Sequence, residues 1–163
     1  MKVLIANRGE IAVRIHRAAA SLGWQTVAAH VRADADTVAV VEADQAYALP
    51  GDGVAGYLDP DAVVQAALAT GAEAVHPGYG FLSEDARLAE RCADAGVIFV
   101  GPDADALRLF GDKASAREHA VRLGVPVLPA TPAGLTLDDA GRFLSAHPDG
   151  IMLKESDRSH VVL

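Results

Sequence analysis

Short apolar segments alternate with longer amphipathic segments through the first hundred residues, and a glycine follows three of the amphipathic segments. The apolar segments are KVLIA (2–6), QTVAAHV (25–31), a stretch near residues 46–49, AEAVH (72–76) and VIFVG (97–101). Short apolar runs between helical runs are typical of parallel strands with crossover helices. Because such crossovers are right-handed, the pattern predicts an α/β fold, a Rossmann-like doubly wound parallel sheet with helices on both faces.

Helix start and stop signals mark the amphipathic segments. The first segment places Ile11, Ile15, Ala18 and Leu22 at helical intervals, which predicts an apolar face. In the segment 58–71, Asp59 is the expected N-cap and Pro60 the first helical residue. Ser83 is the expected cap of the segment 83–96. We expect helix–glycine–strand junctions at four glycines: Gly23, Gly71, Gly96 and Gly124.

The pattern changes after Gly101, where two helical segments follow each other. Asp112 is the expected cap of the second, and Thr136 with Asp139 predicts a variant capping box further on. GIMLK (150–154) is typical of a strand. We therefore expect two domains, residues 1–111 and 112–163.

Composition excludes several classes of protein. The net charge of −8 argues against nucleic acid or an anionic membrane as the main partner. The single cysteine, Cys92, excludes an internal disulfide and predicts a buried structural thiol. The apolar run at the N-terminus is too short for a signal peptide, and no apolar run is long enough to span a membrane. A cytoplasmic protein is the resulting expectation.

The segment HPGYGFLSE (76–84) places a tyrosine between two glycines at the carboxyl end of a predicted strand. Ligands of doubly wound sheets gather at this edge, and glycines permit close backbone approach. Tyr79 therefore either lines a ligand cavity or belongs to a structural corner, and the residues alone favour neither. His76 is typical of a turn histidine, because no second ligand lies at metal-site spacing.

The turn after the first strand, ANRGEIAVRI (6–15), has one glycine where a dinucleotide fingerprint needs three. This argues against an NAD- or FAD-dependent dehydrogenase. Arg8 either meets an anion or points to water. Arg14 and Arg17 share a helical face, which predicts a solvated or subunit-facing stripe.

Lys113 lies in the first turn of a predicted helix, in GDKASAR (111–117). The positive end of the helix dipole disfavours a cation there, and a bound anion would relieve the conflict. Extension of the side chain into solvent is the alternative. Lys154 ends the predicted strand GIMLK and is by itself typical of an exposed residue.

Four motifs in this order closely resemble the amino-terminal part of biotin carboxylase: ANRGEIAVRI, HPGYGFLSE, VIFVGP and GDKASAR. The resemblance covers about residues 1 to 154. It implies an ATP-grasp enzyme of acetyl-CoA, propionyl-CoA, methylcrotonyl-CoA or pyruvate carboxylases, with a Rossmann-like first domain followed by a lid. Such enzymes use ATP, Mg²⁺ and bicarbonate to carboxylate biotin on a carrier protein, and a carboxyltransferase then uses the product.

The resemblance also implies roles for individual residues. Lys113 and Lys154 match lysines that contact ATP, and Tyr79 with Gly80 matches the turn that lines the biotin pocket. The helix that carries Arg14 and Arg17 matches positions near the family's dimer interface, so a homodimer is expected. No metal ligand and no catalytic residue is assigned.

The chain departs from the family after Lys154. The family continues into a glycine-rich loop over the phosphates, whereas this chain reads ESDRSHVVL, without a glycine after Gly150. Backbone contact with phosphates needs glycine. We therefore expect an incomplete ATP-grasp lid and little or no catalysis by this chain alone, and do not carry the family's ATP, Mg²⁺ and biotin binding over to it. The alternative is a non-catalytic truncated paralogue that acts as an interaction module with a carboxylase subunit.

Overall fold

The computed structural model describes residues 1–131 and 136–147, together with 151, 153–154 and 160–161. The chain divides into two compact units, Met1–Arg108 and Leu109–Leu163. The predicted strand residues 150 and 152 lie outside the described residues. That the two parts are a Rossmann-like domain and a lid segment, divided after residue 111, stays a prediction.

The first unit is built on five parallel strands in the order β3-β2-β1-β4-β5. The strands are β1 (Lys2–Ile5), β2 (Gln25–His30), β3 (Gln45–Ala48), β4 (Ala74–His76) and β5 (Ile98–Phe99). The order reverses direction at β1, where the chain crosses from one half of the sheet to the other. This topology confirms the Rossmann-like doubly wound sheet expected from the sequence.

Helices connect the strands and cover both faces of the sheet. They are α1 (Gly9–Ser21), α2 (Val38–Glu42), α3 (Pro60–Thr70) and α4 (Ala86–Asp94), with short 3-10 turns at Arg32–Asp34 and Gly53–Tyr57. Alternate residues of β1 face opposite layers, as the pleat of a strand requires. Ile5 packs with Ala12 and Ile15 of α1, whereas Leu4 packs with Val63 and Leu88 from α3 and α4.

The face of α1 that contacts the sheet agrees with the prediction only in part. Ala12, Ile15 and Ala19 are buried, whereas Ala18 is exposed and Leu22 is 63% exposed. The small side chains of the alanines let the helix approach the sheet closely. The helical periodicity was therefore sound. Ile11 and Ile15 of the predicted stripe pack in the core, whereas Ala18 and Leu22 lie beside the contact face.

Capping chemistry confirms α3 and corrects α4. The Asp59 carboxylate accepts hydrogen bonds from the backbone N–H groups of Asp61 and Ala62, and Gly71 ends α3 with φ 66°. The expectation that Ser83 caps α4 was wrong. Asp85 is the N-cap and accepts from Arg87 N at 2.9 Å, because the backbone of Ser83 is committed to a turn with Gly80.

The second unit contains helices with the predicted caps. Helix α5 (Ala104–Gly111) begins in the first unit, and its last residues, Leu109–Gly111, belong to the second unit. Asp112 accepts from Ser115 N at 2.7 Å at the start of α6 (Lys113–Arg122). α7 (Leu137–Ala146) begins with the predicted capping box, in which the Thr136 and Asp139 side chains each accept from the other's backbone N–H.

Two further features of this unit differ from expectation. Gly124 ends α6 with φ 72°, but residues 125–131 form no strand, so the fourth helix–glycine–strand junction was wrong. Near the end of the chain, β6 (Leu153–Lys154) pairs antiparallel with β7 (His160–Val161), a partner strand that the sequence did not predict.

Candidate functional site

The turn that follows β4 lies beside the start of α1. This proximity follows from the pairing of β1 with β4, in which Ile5 lies opposite His76 and Ala6 N donates to His76 O at 3.0 Å. The carboxyl ends of both strands therefore meet at one edge of the sheet. This is the edge at which doubly wound sheets bind ligands.

Asn7 connects the two strand ends through its side chain. The residue is buried, with only 5% of its surface exposed. Its Nδ2 group donates to Pro77 O at 2.7 Å and to Tyr79 O at 3.0 Å. Its Oδ1 accepts from Arg8 N at 2.9 Å. The reverse orientation of the amide would place an acceptor against two carbonyl oxygens, so only this orientation satisfies the groups. Sequence reasoning missed Asn7, although it is the only asparagine in the chain.

Gly78 fills the space between these two segments. Its φ is 72°, and a Cβ atom there would lie 2.6 Å from Asn7 Nδ2 and 2.8 Å from Ile11 Cγ2. Both the backbone conformation and the close approach therefore require glycine.

His76 stabilises the same turn and is no metal-ligand candidate in this geometry. Gly78 N donates to His76 Nδ1 at 3.0 Å, so Nδ1 is unprotonated and the neutral ring carries its proton on Nε2. Burial lowers the pKa of His76 from its ordinary value, which favours that neutral form.

Tyr79 extends its ring from the turn, and the residue is 67% exposed. It lines a mainly apolar groove of about 560 Å³ together with Met1, Ile11, Arg14, Trp24 and Val100. The groove exists because β5 is open on the face of the sheet that carries α1. Ile98 lies opposite Ala74 on that face and is 57% exposed.

The other end of the turn is a structural corner. Gly80 has φ 67°, with no atom within 4 Å of a Cβ built on it. Phe81 follows with φ 46° and stacks on Tyr57, with the ring centroids 5.4 Å apart. The segment thus combines a corner at Phe81 with an exposed ring at Tyr79, and the assignment of Tyr79 and Gly80 to a biotin pocket stays a prediction.

Arg8 is paired within the chain. Its Nη1 lies 3.6 Å from Asp34 Oδ2, and the same carboxylate oxygen accepts from the Tyr57 hydroxyl at 2.8 Å. Burial and the Asp34 carboxylate raise the pKa of Tyr57, so the phenol stays a donor. Sequence reasoning missed this network, because Asp34 and Tyr57 lie in short 3-10 turns far from Arg8 in the chain.

Arg14 and Arg17 have different surroundings in the structure. Arg14 lines the apolar groove. Arg17 forms an exposed ion pair with Glu42 of α2, 3.0 Å between Nη2 and Oε1, which raises the pKa of Arg17 and lowers that of Glu42. A homodimer through this helix stays a prediction.

The two predicted ATP-contacting lysines belong to the second unit. Lys113 is the first residue of α6 and is exposed. The Asp112 carboxylate caps this helix, and its hydrogen bonds from Ser115 hold its pKa below the ordinary value. That negative charge already offsets the helix dipole beside Lys113. The backbone of Lys154 lies in β6, and its side chain is outside the described residues.

A second cleft, of about 800 Å³, lies between α3, α4 and the start of α5. Four of its charged side chains form ion pairs: Asp61, Arg87, Glu90 and Arg91. Arg91 Nε lies 3.0 Å from Asp61 Oδ1, and Glu90 pairs with Arg108. The strand-end turn is therefore the stronger candidate site.

Two absences hold for the part of the chain that the structure describes. No group of three or more His, Cys, Asp or Glu side chains is arranged to hold a metal ion. No described helix has the length and apolar character needed to cross a membrane.

Sequence comparison finds carboxylases. The family described as "Biotin carboxylase, N-terminal domain" matches residues 1–107. Biotin carboxylase of Haemophilus influenzae is 48% identical over 140 residues, which are 85% of this chain and 31% of that protein. Pyruvate carboxylase of Bacillus subtilis is 43% identical over 160 residues, which are 95% of this chain and 14% of that protein.

Solved structures agree in fold. The biotin carboxylase domain of a single-chain bacterial carboxylase has a TM-score of 0.88 at 53% identity, covering 93% of this chain and 35% of that one. The biotin carboxylase domain of Hydrogenobacter thermophilus 2-oxoglutarate carboxylase, a dimer in complex with MgADP, ADP and bicarbonate, has a TM-score of 0.89 at 40% identity, covering 97% and 35%. The chain thus spans about a third or less of these relatives, and through residues 1–107 it belongs to the biotin carboxylase N-terminal domain family.

Proposed function

We propose that this chain supplies the N-terminal domain of a biotin carboxylase-type ligase. The reaction of the whole enzyme is ATP- and bicarbonate-dependent carboxylation of biotin on a carrier protein, for use by a carboxyltransferase. The family membership of residues 1–107 supports this proposal. The complex of the Hydrogenobacter relative with MgADP and bicarbonate supports the same ligands for the whole enzyme. A cytoplasmic location stays part of the proposal.

The turn after β4 carries the proposal at the level of residues. Its backbone is held by Asn7, and its Tyr79 ring is exposed at the edge of an apolar groove. We assign Tyr79 and Gly80 to the wall of the biotin pocket. A flat, partly apolar ring held against a cavity suits the face of biotin's bicyclic ring, and it leaves the polar ureido edge free for hydrogen bonds. Lys113 and Lys154 are proposed to contact ATP phosphates from the second unit.

These 163 residues by themselves are proposed to be inactive or nearly so. The segment after Lys154 has no glycine with which backbone N–H groups could approach phosphates. We expect the purified chain to show no biotin-dependent ATP hydrolysis above a Lys113→Ala control. Hydrolysis clearly above that control would contradict this part of the proposal.

A chimeric enzyme tests the domain's function directly. Residues 1–107 would replace the matching part of the Haemophilus biotin carboxylase, and biotin-dependent ATP hydrolysis would be measured with Mg²⁺ and bicarbonate. We expect an active chimera in which Tyr79→Ala raises the KM for biotin about tenfold, the effect of losing roughly 1.4 kcal/mol of binding. Tyr79→Phe keeps the ring and should stay near the parent value.

The control for this test is Val41→Ala, which truncates another exposed apolar side chain, on α2. It should leave the KM for biotin unchanged. A folded chimera without biotin-dependent hydrolysis, or an equal response to Tyr79→Ala and Val41→Ala, would refute the proposed role.

A second candidate is a non-catalytic paralogue that binds a carboxylase subunit. The apolar groove beside Arg14 favours it, because exposed apolar surface of this kind marks interaction sites. The expected occupant is a biotin carboxylase polypeptide, since the relatives contain about twice as much further chain. Co-purification with a full-length biotin carboxylase, lost in Leu22→Glu, would support this candidate. A strictly monomeric mass in the presence of that enzyme would exclude it.

A further inference from the structure

We propose that Asn7 is a positioning residue that sets the backbone of the Tyr79–Gly80 turn, so that its loss displaces the proposed biotin wall without removing any group that touches biotin. The consequence for biotin rests on the proposed function. The contact between Asn7 and the turn is independent of that function.

The first step is that every polar group of the Asn7 side chain has a hydrogen-bond partner. Both Nδ2 hydrogens are used, on Pro77 O at 2.7 Å and Tyr79 O at 3.0 Å, and Oδ1 accepts from Arg8 N. A buried amide with these bonds has one orientation, because every other orientation leaves a polar group without a partner.

The second step is that the other anchors of the turn lie on either side of the Tyr79 backbone and not at it. The Tyr79 residue is 67% exposed, and Gly80 has open space where a Cβ would stand. The bond from Gly78 N to His76 Nδ1 lies on the strand side of Tyr79. The hydrogen bond from Ser83 N to Gly80 O and the stacking of Phe81 on Tyr57 lie on its far side. Between these anchors, the Asn7 amide donates to the Tyr79 backbone.

The third step is that β1 holds Asn7 rigidly. Asn7 follows a buried strand whose neighbour is β4, so strand pairing alone sets the distance from Asn7 to the turn. A side chain on a rigid element positions a loop more precisely than another loop can. Through the Asn7 amide, the position of the turn therefore depends on the pairing of β1 with β4.

Selective labelling of the unmodified chain tests the contact. Because Asn7 is the only asparagine, ¹⁵N-asparagine labelling yields a single side-chain amide pair in an NMR spectrum. We expect both protons to exchange with water more slowly than those of an exposed asparagine side chain and to resonate away from its chemical shifts, since both are donated inside the protein. Two protons with the exchange rate and the chemical shifts of an exposed asparagine side chain would overturn the proposal.

Asn7→Asp tests the positioning role. Aspartate keeps the shape and the acceptor for Arg8 N, but turns the donor toward two carbonyl oxygens into an acceptor. We expect shifts of the backbone amide signals of Gly78, Tyr79 and Gly80. In the chimera we expect the KM for biotin to rise about tenfold with the KM for ATP unchanged.

Thr26→Val is the matched control, because Thr26 is fully buried and its hydroxyl bonds to Asp44 and His16, away from the turn. It should destabilise the fold comparably but leave the amide signals of the turn and the KM for biotin unchanged. Equal effects of both variants would reduce Asn7 to a general structural role and overturn the proposal. An inactive parent chimera would refute the proposed function alone, and the labelled amide and the turn signals would still decide the contact.

Discussion

At the scale of single residues, the site depends on Gly78, a position where two separate constraints require glycine. Gly78 has φ 72°, a conformation that L side chains rarely adopt, and its missing Cβ leaves room for Asn7 and Ile11. Gly80, two residues on, has φ 67° but open space around it. Substitutions at Gly78 and Gly80 therefore distinguish the effect of backbone strain from the effect of steric exclusion within one turn.

Gly78→Ala should lower the free energy of unfolding by about 2–4 kcal/mol, the sum of left-handed strain and overpacking. Gly80→Ala should lower it by only about 1–2 kcal/mol, the strain alone. Urea unfolding of the two variants and the parent chain measures both values. Equal losses would show that the Asn7 and Ile11 side chains yield to the added methyl group.

His76 should make the fold sensitive to acid. Burial lowers the pKa of folded His76 below its unfolded value of about 6.5, so the unfolded chain binds more protons than the folded one as pH falls through this range. The contribution of His76 is thus fully present above pH ~6.5 and declines as pH drops toward its folded pKa.

Denaturant midpoints measured from pH 8 to pH 5.5 check this expectation, with His76→Gln as the comparison. Glutamine does not titrate, and the pH dependence of its unfolding free energy should be smaller across this window. An NMR titration in which His76 protonates at or above its unfolded value would contradict the expected direction.

At the scale of elements, helix boundaries follow from local capping, but the residue that caps depends on the preceding turn. Ser83 and Asp85 are both good capping types before α4. The backbone N–H of Ser83 is bonded to Gly80 O, which continues the turn and leaves Asp85 at the helix start. The same turn contains Phe81, whose ring stacks on Tyr57, so the helix start follows a turn that also makes a long-range contact.

Asp85→Ala should lower the free energy of unfolding by about 1 kcal/mol, the usual effect of losing an N-cap, whereas Ser83→Ala should change it by less than about 0.5 kcal/mol. Asp85→Asn keeps an acceptor for Arg87 N while removing the ion pair with the Arg87 guanidinium. It should stay close to the parent chain. Thermal and urea unfolding measure all three, and a larger loss for Ser83→Ala would restore the cap expected from sequence.

At the scale of the molecule, the first unit has a continuous core of its own. Leu4, Val27, Val75 and Leu88 belong to one buried cluster that joins the sheet to α3 and α4. Cys92 lies in the same cluster without measurable exposure, and burial raises the pKa of its thiol to about 11. A thiol in this state reacts only when the core opens.

A chain that ends at Gly111 should therefore fold and keep Cys92 protected. We expect its thiol to react with an aromatic disulfide reagent as slowly as that of the full chain, and both to react rapidly in urea. The buried cluster uses residues from the first unit only, which is the physical reason. Fast reaction of Cys92 in the shorter chain would show that residues after 111 are needed for the core.

Much of the fold was predictable because its signals are local. Asp59, Asp112 and Thr136 cap the helices that their spacing predicted, and the apolar segments form the five parallel strands. The predicted face of α1 was right at Ile11 and Ile15 and wrong at Ala18 and Leu22, because helical periodicity identifies apolar stripes but not the neighbour that covers them. Leu22 belongs to such a stripe and lies at the apolar groove.

The sequence by itself determined the kinds and order of the elements and the motifs that mark the family, since these depend on neighbours within a few residues. The tertiary structure decided which side chains meet at the site. Asn7 contacts a turn 70 residues away only because β1 and β4 pair in one register. The groove beside Tyr79 is open only because β5 lies at the edge of the sheet. Such contacts depend on strand order, which local residue patterns do not encode.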